Sequence, residues 1–231
     1  MKKKIAVLTG AGISAESGIN TFRDSNGLWE NHRIEDVASP TGWARNRQLV
    51  LDFYNQRRRQ LLNCQPNKAH ILLAELEKEY DVTIITQNVD DLHERGGSTK
   101  IIHLHGELLK ARSSLDEELI YHWPNDILEG DKCEKGSQLR PSIVWFGEAV
   151  PKIEDAIPVV LDADIIIVIG TSLVVYPAAG LLHFSKYEAE KWLIDPNKTH
   201  LPAIPNLKFI NDKATTGVDH LVKILMNNRN N

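Results

Sequence analysis

Several short stretches of this 231-residue chain hold the residue types that chemistry needs. Gly10, Ala11, Gly12, Ser14 and Ala15 follow the apolar run Ile5 to Leu8 with the spacing G-x-G-x-x-A, which turns a strand sharply into a helix start. Such a turn lets the backbone approach a pyrophosphate, and it also serves as a plain tight corner. Gln87-Asn88-Val89-Asp90-Asp91 closes a second apolar run, Asp81 to Thr86. Polar groups at the carboxyl end of a strand lie where open α/β sheets bind ligands; the competing reading is that Asn88 and Asp90 cap a helix through Leu92-His93-Glu94. Lys100 to Gly106 reads as a strand whose alternation puts His103 and His105 on one side. Two imidazoles leave a zinc site short of ligands, so a general base or a hydrogen-bonded histidine is the other reading.

These groups need a frame. The pattern predicts a loop over 24–46, punctuated by Asn26-Gly27, Ser39-Pro40 and Thr41-Gly42, then a helix from Arg47 to Leu62. On that helix Val50, Tyr54, Arg57 and Leu61 share a stripe while Arg58 and Arg59 turn away from it. Arg57 either snorkels from the edge of the apolar face or joins Tyr54 in a pocket suited to a carboxylate. A second helix spans 67–79, and 112–140 is a charged, aperiodic excursion. Asp164 to Gly170 is the clearest buried strand, with Thr171-Ser172 at its carboxyl end. A helix over 178–188, strands over 191–194 and 207–210 and a helix over 218–226 complete an alternating order. The expected fold is α/β, a doubly wound, Rossmann-like parallel sheet with a small inserted module. One domain, 1–231, is expected: a core of 1–23, 80–111 and 141–231, a helical and loop insertion over 24–79, and the module over 112–140.

Composition narrows the class. A hydrophobic fraction of 42% with 25% charged residues is ordinary for a soluble protein, and no apolar run is long enough for a bilayer. Met-Lys-Lys-Lys runs straight into a strand without a signal-like stretch, so a cytoplasmic location is expected. Net charge −4 without a basic stripe argues against nucleic acid as a partner. Cys64 and Cys133 are the only cysteines, too few for a disulfide framework.

In order and spacing, Gly10 to Ile19, Thr21-Phe-Arg23, Thr86 to Asp90, Leu92-His93, His103 to Gly106, Trp145 to Glu148 and Gly170 to Ser172 resemble the sirtuins, NAD-dependent protein lysine deacylases. The resemblance runs from residue 4 to 225. It implies that Gly10, Ala11, Gly12, Ser14 and Ala15 line a pyrophosphate turn with Arg23 on a loop above it. Gln87, Asn88 and Asp90 would surround the nicotinamide and its ribose, and Gly170, Thr171, Ser172, Asp195, Asn197 and Ala214 the adenosine half. An acylated lysine of a protein substrate would lie between Val144-Trp145-Phe146-Gly147-Glu148 and Leu173, Val174 and Tyr176, paired as an added strand. His105 would be the general base, with Asn88 and Asp90 as its catalytic companions. Tyr54 and Arg57 look like the pair that accepts succinyl and malonyl groups, beside acetyl. The implied products are free lysine, nicotinamide and 2′-O-acyl-ADP-ribose, made by a monomer without a membrane partner. The alternative enzyme is an NAD glycohydrolase or mono-ADP-ribosyltransferase using the same cleft. One departure stands out: sirtuins carry two cysteine pairs for structural zinc, whereas 112–140 holds only Cys133, and Ser113 stands where the first cysteine is expected. No zinc is therefore expected, with His122 and Trp123 structural rather than ligating.

Overall fold

The computed structural model describes residues 2–20, 28–29, 32–171, 176, 178–197 and 204–229. β1 (Lys4–Thr9) leads into two single 3-10 turns, Ala11–Ile13 and Ala15–Ser17. The antiparallel pair β2 (Leu28–Trp29) and β3 (His32–Arg33) precedes four helices, α1 (Ile34–Val37), α2 (Pro40–Arg45), α3 (Arg47–Asn63) and α4 (Lys68–Leu76). β4 (Asp81–Thr86), α5 (Leu92–Arg95) and β5 (Ile101–His103) follow, then β6 (Gly106–Ser113), β7 (Ile120–His122) and β8 (Leu139–Ile143). The chain closes with α6 (Ile153–Asp162), β9 (Ile165–Ile169), a 3-10 stretch Ala178–Phe184, β10 (Glu190–Ile194), β11 (Leu207–Ile210) and α7 (Ala214–Arg229).

The main sheet is six-stranded and parallel, in the order β11-β10-β9-β1-β4-β5. Its strands read as unbroken apolar runs because both faces are covered. Ile5, Val7, Ile84 and Ile167 pack towards α4 and α7, whereas Ala6, Leu8, Ile85, Ile166 and Val168 pack towards α6 and the 3-10 stretch. This is the doubly wound sheet expected. The strand order reverses at β1, so a crevice opens beyond the carboxyl ends of β1 and β9, the place where such sheets bind ligands.

Several expectations are corrected. The stretch over 24–46 is not all loop: Ser39 Oγ accepts the Gly42 N–H and Pro40 pre-sets the first turn of α2, so Thr41-Gly42 is helical. The run from Lys100 to Gly106 is not one strand, since Gly106, at φ +83°, turns the chain from β5 into a different sheet. The excursion over 112–140 contributes to that sheet, ordered β7-β6-β8 and antiparallel. α6 escaped the sequence pattern because Pro158 interrupts it. Among the described residues no helix is long and apolar enough to cross a membrane.

Candidate active site

The strands end level. Thr9 is in register with Thr86 on one side and Ile169 on the other, so the segments after β1, β4 and β9 start from one line. The glycine turn is tied there by Gly10 N–H to Ile169 O at 3.0 Å and Gly12 N–H to Gly170 O at 2.9 Å. A Cβ on Gly12 would lie 2.6 Å from Gly170 Cα, and one on Gly10 2.7 Å from Thr171 Cβ. Two of the amides expected to face a phosphate are thus spent on β9, and the glycines are demanded first by this strand contact. No long helix starts here, since Gly18 ends the second turn in the left-handed region, at φ +91°. Ala11, Gly12 and Ala15 keep surface exposure at the crevice.

Beyond β4 a chain of polar groups crosses to this turn. Asn88 Nδ2 donates to Gly10 O at 3.2 Å and to Ser14 Oγ at 3.1 Å, and Ser14 Oγ donates to Asp90 Oδ2 at 3.0 Å. All three side chains are buried. Asp90 Oδ1 also takes the Leu92 N–H at 3.2 Å from one residue ahead of the α5 N-cap, Asp91, so support of the helix start accounts for one oxygen and none of Asn88. Burial pushes the Asp90 carboxyl up to about 6, against the pull of the Leu92 and Ser14 bonds. Gln87 Nε2 donates to Thr171 Oγ1 at 3.2 Å, joining the β4 and β9 ends.

The two histidines clasp the backbone of the same segment. His105 Nδ1 lies 3.0 Å from Gln87 O, and His103 Nδ1 lies 3.3 Å from Asn88 O. A carbonyl only accepts, so Nδ1 of His105 carries the proton and Nε2 holds the lone pair of a base. Burial pulls the His105 pKa below the usual histidine value despite the Gln87 bond, keeping the ring neutral at physiological pH. His103 Nε2 is occupied, 2.6 Å from Glu94 Oε1. Glu94, His103 and Glu107 bring ligand atoms within 4.8 Å of one another, but the Glu94 contact and a Lys110–Glu107 ion pair make the group a charge cluster.

Towards the expected adenosine side, Asp195 ends β10 buried and its Oδ1 accepts the Asn197 N–H at 2.8 Å. Ala214 opens α7, docked to the glycine turn through Glu16, whose carboxylate takes the Thr215 N–H at 3.0 Å and hydroxyl at 2.9 Å. Arg23, Ser172, Leu173 and Val174 lie outside the described residues. On the expected peptide side Val144 N–H donates to His105 O at 2.9 Å, Phe146 and Tyr176 are exposed, and Gly147 is in the left-handed region at φ +92°. Glu148 is committed to Arg140, Arg112 and the Trp145 N–H. The Trp145 indole donates to Tyr54 Oη at 3.1 Å; burial raises the Tyr54 pKa and keeps its hydroxyl protonated. Arg57 sits with Cζ 4.2 Å from the Phe53 ring centroid, one turn beyond.

Arg58 overturns the stripe. It is fully buried, donating from Nε to Leu108 O at 3.0 Å and from Nη1 to Asn55 Oδ1 at 2.7 Å, because α3 is covered by the β6 sheet on a second side. Glu16, Glu94 and Arg140 are site supports that sequence reasoning passed over, and spacing alone gave no signal for them. At the module, Ser113 Oγ lies 2.6 Å from Ser137 Oγ and accepts the Leu115 and Asp116 N–H groups, while Cys133 Sγ lies 3.1 Å from Ser137 Oγ. One thiol among hydroxyls is not a zinc donor set. Trp123 Nε1 donates to Asp126 O at 3.0 Å and His122 is exposed.

The model of the Sir2 family matches residues 10–177. An NAD-dependent protein deacylase of Helicobacter pylori is 57% identical over 226 residues, covering 97% of this chain and 98% of that protein. The solved complex of a Sir2 homologue with NAD superposes with TM-score 0.88 at 42% identity, covering 98% of this chain and 90% of the other. A Sir2 complex with a p53 peptide and NAD gives TM-score 0.79 at 29% identity, over 96% and 93%.

Proposed function

Because this chain belongs to the Sir2 family, we propose that it is an NAD-dependent protein lysine deacylase working at the crevice between β1, β4 and β9. The observation that carries the reading is the convergence there of Asn88, Ser14 and Asp90 with the neutral ring of His105. When bound, NAD supplies an electrophilic ribose carbon with nicotinamide as its leaving group. The turn over Gly10, Ala11, Gly12, Ser14 and Ala15 would hold its phosphates, Gln87, Asn88 and Asp90 the nicotinamide end, and Gly170, Thr171, Asp195, Asn197 and Ala214 the adenosine end. Arg23 and Ser172 belong to the same assignment. The cradle suits such a group: small residues line the turn, and a fixed polar chain stands beside it.

The protein's own share is orientation and proton transfer. Asn88, fixed by Gly10 O and Ser14, presents a rigid amide rather than a mobile one. His105 Nε2 accepts a proton from a sugar hydroxyl, with Nδ1–H anchored to Gln87 O so that the ring cannot change tautomer. The acylated lysine would enter as a strand along Val144 to Glu148, next to Leu173, Val174 and Tyr176. Val144 N–H on His105 O couples that strand to the base.

The acyl preference is a finer proposal. Tyr54 and Arg57 lie one helical turn apart on α3, so a protonated phenol and a guanidinium can address one acyl carboxylate, favouring succinyl and malonyl groups beside acetyl. A charge-assisted contact of this kind contributes roughly 1.5–3 kcal/mol. Mass spectrometry of succinyl-, malonyl- and acetyl-lysine peptides, with and without NAD, tests both levels. Expected are NAD-dependent loss of the acyl group, abolition by His105→Ala with NAD binding kept, and a fall of about tenfold in desuccinylation relative to deacetylation for Arg57→Met. Nicotinamide release without acyl removal would point to a glycohydrolase; equal losses on both peptides would remove the acidic pocket.

A further inference from the structure

We propose that Glu94 and His103 form a positioning pair that holds the Asn88 carbonyl, and with it the segment 87–90, in its binding shape only while His103 is a cation. The inference rests on the reading of that segment as the NAD site. His103 touches two groups that can only accept: Asn88 O at 3.3 Å from Nδ1 and a Glu94 oxygen at 2.6 Å from Nε2. A neutral imidazole has one N–H and satisfies one of them; both bonds together require the doubly protonated ring. His105, two residues on, faces a single acceptor, Gln87 O, and needs no second proton. The last residue of β5 and a residue of the turn after it thus clasp neighbouring carbonyls in different charge states, one as post and one as base.

The surroundings favour this division. Burial works against a charge on His103, whose side chain is 9% exposed, but the Glu94 bond and charge outweigh it, helped by Glu107 and the Asn88 carbonyl, and its pKa lies above the usual value. Glu94 is correspondingly held below the carboxylate range by His103, against burial. The other charged or titratable groups acting on the ring are Asp90 and Asp91 on the segment before α5, His93 within α5, and Glu107 on β6, while Lys110 on β6 acts on Glu94. The acids assist the cation; Lys110 is turned onto Glu107 by their ion pair. The pair forms at low pH and is lost as pH rises through the raised His103 value, whereas His105 becomes a base as pH rises through its lowered one. Between the two lies the working window.

The test has a readout that needs no turnover. NMR titration of the imidazole signals in the ligand-free protein should show His103 titrating above His105, and Glu94→Gln should move His103 downwards with His105 unmoved. In kinetics the alkaline limb of kcat/KM for NAD should shift to lower pH in Glu94→Gln, with a loss of about tenfold at pH 8, while the acid limb stays and Glu94→Asp restores the wild-type limb. His103→Gln, which cannot titrate, should lose that limb altogether. If His103 titrates at or below His105, or if Glu94→Gln scales activity evenly across pH, the proposal falls. It falls equally if EDTA shifts the His103 signal and added Zn2+ restores it, because the cluster is then a cation site. Absence of acyl removal at every pH would overturn the function above and leave the titration to be judged alone.

Discussion

Asp90 is a side chain whose chemistry works against the fold. The residue is 6% exposed and its carboxyl is driven from 3.8 to about 6 by burial, so at neutral pH the folded protein holds a charge that water would hold better. A carboxyl raised on folding binds more protons in the native state, and stability falls as pH climbs from 3.8 through 6. At pH 7 the difference is on the order of 3 kcal/mol. Asp90→Asn, which keeps an acceptor for the Leu92 N–H, should therefore melt higher than wild type at pH 7, match it near pH 4, and lose acyl removal. Urea unfolding of both proteins across that pH range checks the sign. Asn88 and Asp90 were legible in the sequence as polar groups just past the strand that ends at Thr86, whereas the place of His105 was not, because Lys100 to Gly106 read as one strand and β5 stops at His103. Ser14 was legible as a turn residue, but its role as the hydroxyl linking Asn88 to Asp90 joins positions 74 and 76 residues away, beyond the reach of any spacing.

At the scale of elements, the sequence marked the parallel strands well and the β6 sheet badly. β4 spans Asp81–Thr86, as its apolar run indicated, whereas β6 and β8 are irregularly paired, with a register shift between Gly106 and Ala111 that erases a clean alternation. The helix stripe missed Arg58 because it assumed one covered face, and α3 has two: Val50, Tyr54 and Leu61 belong to the core that holds Trp145, while Leu51 belongs to a separate core with Ala111, Ile127 and Leu139. The seam between α3 and this sheet is polar at its centre. Asn55 accepts the Ile127 N–H and donates to Ile127 O, both at 2.9 Å, and supports Arg58 on Leu108 O. These bonds, with Ser113 and Ser137 beside Cys133, tie the β6 sheet to α3 and close the module on itself. Asn55→Ala should then lower stability by about 2–4 kcal/mol, since it strands two buried backbone groups and loosens a buried guanidinium. EDTA should leave the wild-type melting curve in place. A chelator-sensitive melt, or stoichiometric zinc in the purified protein, would reverse the assignment.

Across the whole molecule, the crevice exists because the order of strands turns back at β1, and close backbone packing at the end of β9 seats the glycine turn beside it. Gly170 sits at φ +61°, and a Cβ there would come within 2.5 Å of Ile13 N and 2.6 Å of Gly12 Cα, all backbone atoms with no flexible end to yield. Gly170 therefore does two jobs: it ends β9, and it leaves room for the glycine turn to fold against that end. The first job is intrinsic and small, since a left-handed conformation costs an alanine about 1–2 kcal/mol. The second is collective, because relieving the overlap must push the Ala11–Ile13 turn away from β9 and carry Ser14, and hence Asn88 and Asp90, with it. Gly136 separates the two effects: it has φ +81° and nothing within 4 Å of an added Cβ. Gly136→Ala should cost only the strain and leave NAD affinity as it was. Gly170→Ala should lose more stability than that and weaken NAD binding by more than about tenfold, the loss expected when a bound geometry is displaced by an ångström or so. Calorimetric titration with NAD beside thermal melts of both variants decides it; equal affinities in the two would mean that the turn binds without needing its seat on β9.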